Sequence, residues 1–420
     1  MRAIPTTSWQ VGGSDNWVTN IRYIDATKTI VAGSSDGYLR GYDLDGTNQW
    51  NISAHESAVN QIALVGDYGV VSCSTDGVKL WDLRNISSDP THCFTNPKQT
   101  SFLSVAVSPD GNFIAGGTEL KGTDAEIYIW DIRNPSEPYR AYVDSHHDDV
   151  TYLSFHPTTE TYLMSGSTDG YVNIINYAEA DEDESLHQVI NFASVHSCHW
   201  DLERRISVLS HMETLAFYDL NDTNYEEQAE AQPNEMGDVR STWPDCEYVV
   251  DVSPSGYVSY GANSKSSLTL LPFNPATEIF DDNNPVWFHE AHGEEVVRDL
   301  FVIPYTKTAI TCGEDGKIKV WSLPKELKHY DLINPDEKDD NMDIDDAAVE
   351  EKNDSDKSSM EKKDKMVKKE KKDKKEKKEK KEKKEKKEKK DKKEKHETDK
   401  KGKDKHKSKR DKKEKRFKPY

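Results

Sequence analysis

The sequence predicts an all-β fold, a seven-bladed β-propeller, followed by a disordered and highly charged C-terminal tail. Three observations support this prediction. A short unit with an Asp-Gly turn recurs along the chain, the closing residues of successive units are spaced by about the length of a four-stranded blade, and the composition changes sharply near the end. We place the propeller at residues 1–325, an acidic linker at 326–351 and a Lys-rich tail at 352–420.

The recurring unit ends in a run of β-branched and aromatic residues. In chain order the units read SSDGYLRGYDL, CSTDGVKLWDLR, IYIWDIR, SGSTDGYVNIINY, ISVLSHMETLAFYDL, VSYGANSKSSLTLLPF and TCGEDGKIKVWSL. Their closing positions are Tyr42, Trp81, Trp130, Ile175, Tyr218, Leu271 and Trp321. These positions are 39, 49, 45, 43, 53 and 50 residues apart, against roughly 40–45 residues in a four-stranded blade. The fifth unit is weak, and the sixth keeps strand character but no signature pair.

The longer intervals contain polar insertions at Glu119–Glu126, Asp181–Glu184 and Asn221–Asp238. Insertions between strands are expected to form loops on the propeller faces. The Asp-Gly pairs lie between short apolar runs, which indicates hairpins because glycine accepts a positive φ. Residues 1–320 contain no long stretch with the 3.6-residue period of an amphipathic helix.

The spaced Asp-Gly and Trp-Asp pairs, with histidines upstream, resemble WD repeats. That resemblance implies a buried hydrogen-bonded tetrad of a His, a strand Ser or Thr, the turn Asp and the Trp in each complete blade. It assigns this role to His55, Asp76 and Trp81, to His147 and Asp169 with Ile175 in place of the Trp, and to His292, Asp315 and Trp321. It also implies that an N-terminal strand, available at Thr6–Val11, completes the last blade.

A narrower resemblance covers most of residues 15–325. The stretches that carry it include His199-Trp200, Phe217–Leu220, Asp238–Arg240 and Val296–Arg298, which are similar to the WD-repeat protein 89 family.

No residue cluster predicts catalysis or metal binding. The five cysteines are far apart and form no CxxC pair, so a reducing compartment is expected. Neighbouring residues on a strand point to opposite faces, and therefore His146–Asp149 and His196–His199 cannot hold one ion. We find no phosphate-binding glycine loop and no nucleophile elbow. The sequence predicts a non-enzyme with no cofactor, no metal, no small-molecule substrate and no membrane span.

Charge separates the chain into two parts. Residues 1–350 contain 21 Lys and Arg against 58 Asp and Glu, whereas residues 351–420 contain 36 against 19. The tail repeats Lys-Lys-Glu or Lys-Lys-Asp and cannot bury apolar surface, so we expect it to be disordered. Such repeats resemble the tails of nucleolar ribonucleoprotein components and nuclear-import signals, for which Lys409, Arg410, Lys412 and Lys413 are candidates. Non-specific contact with RNA phosphates and mere solubilisation are further roles for the tail.

Two adjacent blades end in Trp-Asp-x-Arg, with Arg84 and Arg133 in the last position. This motif resembles the one by which some WD-repeat substrate receptors dock on the adaptor of cullin-4 ubiquitin ligases. We expect a scaffold located in the nucleus, with the nucleolus and an additional cytoplasmic pool as open alternatives. Its acidic propeller is expected to bind a basic protein client from chromatin or ribosome assembly. The alternative function is that of a ligase substrate receptor. An enzyme is the third alternative.

Overall fold

The computed structural model describes residues 1–159, 161–221 and 232–330. Within them, 29 strands form seven antiparallel sheets. The strands are β1 (Ile4–Gln10), β2 (Val18–Ile24), β3 (Thr29–Ser34), β4 (Tyr38–Tyr42), β5 (Asn48–Ser53), β6 (Gln61–Val65), β7 (Gly69–Ser74), β8 (Gly77–Asp82), β9 (His92–Phe94), β10 (Phe102–Val107), β11 (Phe113–Thr118), β12 (Ala125–Asp131), β13 (Arg140–His146), β14 (Val150–Phe155), β15 (Tyr162–Ser167), β16 (Tyr171–Asn176), β17 (Leu186–Asn191), β18 (Val195–Leu202), β19 (Arg205–Ser210), β20 (Thr214–Asp219), β21 (Asn234–Asp238), β22 (Tyr248–Ser253), β23 (Tyr257–Ala262), β24 (Ser267–Asn274), β25 (Ile279–Phe280), β26 (Val286–His289), β27 (Val297–Val302), β28 (Thr308–Gly313) and β29 (Lys317–Ser322).

Each sheet is a blade built from consecutive strands. Blades one to five are β2–β5, β6–β9, β10–β13, β14–β17 and β18–β21, and blade six contains β22–β26. Blade seven has the order β1-β29-β28-β27, so its outer strand comes from the N-terminus. The seven closing positions predicted from the sequence all lie in the third strand of a blade, which confirms the predicted fold.

The ring closes at the N-terminal strand. Strand β1 pairs with β29 from Ile4 opposite Ser322 to Gln10 opposite Lys317. The Val11 amide continues the ladder by donating to the Gly316 carbonyl at 2.8 Å. At the inner edge the first strand of each blade packs against those of its neighbours, and β27 meets β2. The predicted closing strand is therefore present and begins two residues earlier than Thr6.

The hydrophobic core lies between blades rather than within one of them. One cluster joins Ile24 and Leu39 of blade one to Ile62 and Trp81 of blade two, and all four side chains are buried. Because neighbouring blades cover both faces of the middle strands, strands such as β3 are buried along their whole length. This explains why the repeats read as nearly continuous apolar runs rather than as alternating ones.

The antiparallel order gives the ring two distinct faces. The front face, as we call it, carries the turns between the second and third strands of each blade and the connections between blades. The rear face carries the turns between first and second and between third and fourth strands. Of the predicted polar insertions, Asp181–Glu184 differs from expectation: Glu182–Ser185 form a short helix, α1, which Asp181 caps by accepting the Asp183 and Glu184 amides.

The insertion at Asn221–Asp238 also contains structure, because residues 234–238 form β21, while residues 222–231 lie outside the described residues. Two single 3₁₀ turns occupy Val239–Ser241 and Asn263–Lys265. None of the described helices is long and apolar enough to cross a membrane. The predicted linker and tail fall almost wholly in residues 331–420, which the structure does not describe, so their boundaries stay predictions.

Candidate protein-docking surfaces

Blades two and seven each hold a buried four-residue hydrogen-bonded chain. In blade two, His55 Nδ1 lies 2.5 Å from Asp76 Oδ1, His55 Nε2 lies 2.7 Å from Ser72 Oγ, and Trp81 Nε1 donates to Ser72 Oγ at 2.9 Å. Since the serine hydroxyl accepts from Trp81, it donates to Nε2, and a neutral imidazole protonated on Nδ1 then satisfies every polar atom. This series of hydrogen bonds connects the front-face turn to the middle of the blade.

The blade-seven chain repeats this geometry. His292 Nδ1 lies 2.7 Å from Asp315 Oδ1, His292 Nε2 lies 2.8 Å from Thr311 Oγ1, and Trp321 Nε1 donates to Thr311 Oγ1 at 3.0 Å. Burial lowers the pKa of His292, and this outweighs the opposing effect of Asp315. For Asp315, burial acts to raise the pKa, but the hydrogen bond from His292, its charge and the Lys317 amide together outweigh burial, and the pKa is lowered. The pair therefore holds a neutral imidazole against a carboxylate at neutral pH.

In blade four the prediction of His147 was wrong by one residue. His146 makes the buried contacts, with Nδ1 2.9 Å from Asp169 Oδ2 and Nε2 2.8 Å from Ser165 Oγ. His147 is exposed, and its Nδ1 lies 3.1 Å from Asp124 Oδ1. His146 ends β13 with its side chain turned inward, and the next residue must turn outward. Spacing could have found it, because 23 residues separate both His146 from Asp169 and His292 from Asp315.

Two blades without a histidine use other ion pairs at this level, which sequence reasoning missed. In blade one, the buried Arg40 donates to Ser34 Oγ and to Asp36 Oδ2, both at 2.6 Å. In blade three, the buried Glu126 accepts from the Tyr128 hydroxyl at 2.6 Å and pairs with Lys98 at 2.8 Å. Ile175, in the Trp position of blade four, is buried as a plain apolar residue. Buried ion pairs in blades one and three therefore stand at the level that the His-Asp pairs occupy in blades two, four and seven.

Arg84 and Arg133 occupy equivalent places on the rear face. Each guanidinium makes a two-point contact with the aspartate two residues before it, Asp82 or Asp131, with Nη2–Oδ2 distances of 2.7 Å in both. Their side chains are 69% and 62% exposed. The same two-point contact holds both side chains in one orientation, and their donors that face solvent remain accessible to a partner.

The inner strands bring charged residues from distant parts of the chain into the central channel. Arg22 of blade one donates to Asp299 of blade seven at 2.9 Å. The Tyr152 hydroxyl lies 3.0 Å from His199 Nδ1, and His199 Nε2 lies 2.8 Å from Asp251 Oδ1. Burial acts to lower the pKa of His199, but Asp251 outweighs it and the pKa is raised. No sequence pattern predicted this ion pair between His199 and Asp251.

Most of these inner strands begin with a β-bulge. The register shifts near the start of β2, β10, β14, β18, β22 and β27. Side chains at or beside the bulge reach the next blade: Thr19 donates to the Val59 carbonyl at 2.8 Å and Thr151 to the Val195 carbonyl at 2.7 Å. These bonds link successive blades around the front end of the channel, where they fix the rim.

A polar cleft opens on the front face beside this rim, between blades five, six and seven. Its volume is about 450 Å³. Its lining residues are His196, His211, Glu213, Glu247, Tyr248, Val249, Val250, Asn263, Val296, Val297 and Arg298. Among the described residues no group of three or more His, Cys, Asp or Glu side chains has the arrangement to hold a metal ion.

A seven-bladed ring closed by its N-terminal strand, with buried His-Ser/Thr-Asp-Trp tetrads within its blades, defines a WD-repeat propeller. The family model of the WD domain, G-beta repeat, matches residues 88–131, 138–176 and 283–322. An uncharacterized WD repeat-containing protein of Saccharomyces cerevisiae is 38% identical over 360 residues, covering 81% of this chain and 90% of that protein. The chain belongs to the WD-repeat family.

Two further comparisons extend this assignment. The WD repeat-containing protein 89 homolog of Dictyostelium discoideum is 25% identical over 333 residues, covering 74% of this chain and 85% of that one. This agrees with the narrower resemblance seen in the sequence. The β-propeller domain of Cps50 (Swd1) from Myceliophteria thermophila matches with a TM-score of 0.59 at 16% identity, covering 76% of this chain and 99% of that one. That likeness supports the fold alone.

Proposed function

We propose that the chain is a non-catalytic protein-interaction scaffold whose front face binds a basic protein client, such as a histone or a ribosomal protein. The observation that carries this proposal is an excess of carboxylates without cationic partners. Residues 1–330 contain 49 Asp and Glu against 20 Lys and Arg, and residues 141–203 contain 12 acids and neither Lys nor Arg. An excess of this size attracts cationic partners and speeds their association.

Most of the arginines of the propeller form ion pairs within the chain. The arginines in ion pairs are Arg22, Arg40, Arg84, Arg133, Arg205, Arg240 and Arg298. By contrast, Asp15, Glu56, Glu294 and Glu295 are exposed on the front face and are in no ion pair among the described residues. Some of the uncompensated negative charge is thus accessible on the face that also carries the cleft.

The test compares two triple variants of equal net charge. Glu56→Gln, Glu294→Gln and Glu295→Gln neutralise the front face, while Asp45→Asn, Asp67→Asn and Asp89→Asn neutralise exposed carboxylates on the rear face. Binding of purified core histones and of a basic ribosomal protein is measured by surface plasmon resonance at low and high salt. We expect the front-face variant to associate more slowly, with a smaller salt dependence, and the rear-face variant to resemble the parent. Equal effects of both variants, or no binding by the parent, would overturn the proposal.

A second candidate function uses the rear face. The matched geometry of Arg84 and Arg133 favours docking on the adaptor of a cullin-4 ubiquitin ligase, because two equally oriented guanidinium groups offer a repeated contact. Affinity purification of the double variant Arg84→Ala and Arg133→Ala, beside the parent, tests this function. We expect adaptor and cullin to be recovered with the parent only. Recovery with neither protein, or equally with both, rejects docking through these residues.

Nuclear and nucleolar localisation belongs to the same proposal and depends on the tail. Lys409, Arg410, Lys412 and Lys413 lie outside the described residues, so the support comes from their charge pattern alone. A reporter fused to residues 352–420 should concentrate in the nucleus, and truncation at Asn353 should move the propeller out of the nucleolus. Retention on RNA should weaken steeply with salt, because each neutralised phosphate releases counterions. An unchanged distribution of the truncated protein would leave solubilisation as the role of the tail.

A further inference from the structure

The front-face cleft between blades five, six and seven has a floor of aliphatic and aromatic side chains. Val249 and Val250 are almost fully buried, and Val296 and Val297 continue this surface from the connection into blade seven. The Tyr248 hydroxyl accepts the Val297 amide at 3.0 Å, which ties blade six to blade seven beneath the cleft. An apolar floor of this kind can pack the methylene stem of a long side chain.

Two carboxylates border this floor. Glu213 Oε2 accepts the Val249 amide at 2.9 Å, while its Oε1 accepts from no donor among the described residues. Glu213 stands in the turn after β19 with φ of +59°, so a strained backbone position holds the carboxylate at the cleft. Glu247 accepts from the amide and the hydroxyl of Ser264, which orients its carboxylate at the opposite wall.

Two histidines, His196 and His211, stand side by side in the cleft. The rings of His196 and His211 lie edge to face with centroids 5.2 Å apart. Burial, and then the proximity of His196, lowers the pKa of His211, so this imidazole stays neutral. His211 Nδ1 lies 3.1 Å from Ser194 Oγ, and His196 Nε2 lies 3.4 Å from the Val250 carbonyl.

Arg298 is the one arginine in the lining, and its charge is already neutralised. Its guanidinium pairs with Glu314 and lies over the Trp17 ring at 5.6 Å from the ring centroid. The cleft therefore has two carboxylates, the neutral imidazole of His211 and an apolar floor, and the one Arg or Lys among its lining residues is held by its own partner.

We propose that this cleft receives one lysine or arginine side chain of the client, whose stem packs on the valines and whose cationic group pairs with Glu213 and Glu247. The inference rests on the proposed binding of a basic client and names where on the front face that client is anchored. Buried anchors of this type contribute much of the affinity of an interface, whereas exposed charges around them mainly steer the encounter.

The titration of the cleft gives a second, independent readout. Burial raises the pKa of Glu213, while hydrogen bonds from Ser264 lower the pKa of Glu247. Of the two carboxylates, Glu213 is therefore the one that acidification neutralises first. The charged groups nearest to them are the Arg240–Asp238 pair beside Glu213 and the Lys265–Asp245 pair beside Glu247. Binding of a cationic side chain should therefore weaken as pH falls through the raised pKa of Glu213.

The experiment uses the full chain and a labelled peptide of alternating glycine and lysine, with a glycine–glutamate peptide as the acidic comparison. Glu213→Gln keeps the acceptor for the Val249 amide and removes the charge, and Glu56→Gln removes one charge from the same face outside the cleft. We expect fluorescence anisotropy to show roughly ten-fold weaker binding for Glu213→Gln, about 1.4 kcal/mol, and less than about two-fold for Glu56→Gln. The pH dependence should largely disappear in Glu213→Gln.

The outcomes separate the two proposals. Equal effects of Glu213→Gln and Glu56→Gln would overturn the cleft assignment and leave the basic-client function standing. Tighter binding of the glutamate peptide would overturn the assignment by identifying an anion-binding cleft. Binding of neither peptide by the parent, with a normal circular dichroism spectrum, would overturn the proposed function together with the inference.

Discussion

Asp201 is a carboxylate that the folded ring buries at a measurable cost. It stands in β18 and is fully buried. Its Oδ1 accepts the Ser207 hydroxyl at 3.1 Å, but its Oδ2 has no hydrogen-bond partner among the described residues. Burial raises the pKa of Asp201 from 3.8 to about 7, with His199 acting in the opposite direction. Asp201 is therefore more protonated in the folded than in the unfolded chain in this range, and its contribution to stability falls as pH rises from about 4 to about 7.

The size of this effect follows from the shift. One pKa unit corresponds to about 1.36 kcal/mol, so the two units between about pH 5 and about pH 7 amount to about 2.7 kcal/mol. Asp201→Asn removes the titration while keeping the acceptor for Ser207. Its amide nitrogen replaces Oδ2 as an unpartnered polar group, which costs about 1–3 kcal/mol at every pH. The difference between the two pH values is independent of that cost.

Urea unfolding at about pH 5 and about pH 8 measures this pH-dependent difference in the free energy of unfolding. Relative to the parent, Asp201→Asn should gain about 2–3 kcal/mol in the free energy of unfolding between the lower and the higher pH. The control Asp89→Asn, at an exposed carboxylate on the rear face, should track the parent at both values. A pH dependence of Asp201→Asn equal to that of the parent would refute the claim that Asp201 is buried at the expense of stability.

Three further predictions concern the ring and its tetrads. Deleting residues 1–10 removes β1 and exposes the edge of β29, so the variant should melt earlier and scatter light, and an unchanged melting curve would contradict closure by this strand. Burial lowers the pKa of His292, so this side chain is less protonated in the folded than in the unfolded state, and its contribution to stability is complete above about pH 6.5 and lost as pH falls. His292→Gln should therefore reduce the dependence of the free energy of unfolding on pH in urea titrations. An unchanged pH dependence would refute this prediction. Trp81→Phe loses the donor to Ser72 and should reduce the free energy of unfolding by about 1 kcal/mol, while Arg84→Ala should change it by less than about 0.5; similar losses would count against the hydrogen bond.

The parts of this structure that the sequence predicts are those with a local cause. An Asp-Gly turn between two apolar runs indicates a hairpin, and in blades one, two, four and seven it lies at the start of the third strand. Blade six has lost those signatures, yet its strands form because Leu268, Leu270 and Leu271 are buried against neighbouring blades. The spacing between neighbouring repeats was enough to predict blade six, since the blades of one ring have similar sizes.

The parts that the sequence did not predict depend on a single residue step or on distant partners. His146 and His147 are equivalent in composition, and only the direction of each side chain at the end of β13 distinguishes them. Arg22 and Asp299 are 277 residues apart, and the ring alone makes them neighbours. The cleft likewise draws Glu213, Glu247 and Val296 from three blades. None of these contacts has a local sequence signature that pattern analysis could detect.

Ring closure and the proposed client site share one strand. Asp299 accepts both the Arg22 guanidinium, at 2.9 Å, and the Ile21 amide, at 3.1 Å, so β27 is fixed to β2 at the inner edge while β1 holds blade seven at the outer edge. The residues just before Asp299 on that strand, Val297 and Arg298, line the cleft. The carboxylate that joins the first blade to the last therefore also fixes one wall of the cleft. A wall fixed in this way needs little ordering when a side chain enters, and preorganisation of that kind raises affinity without any additional contact.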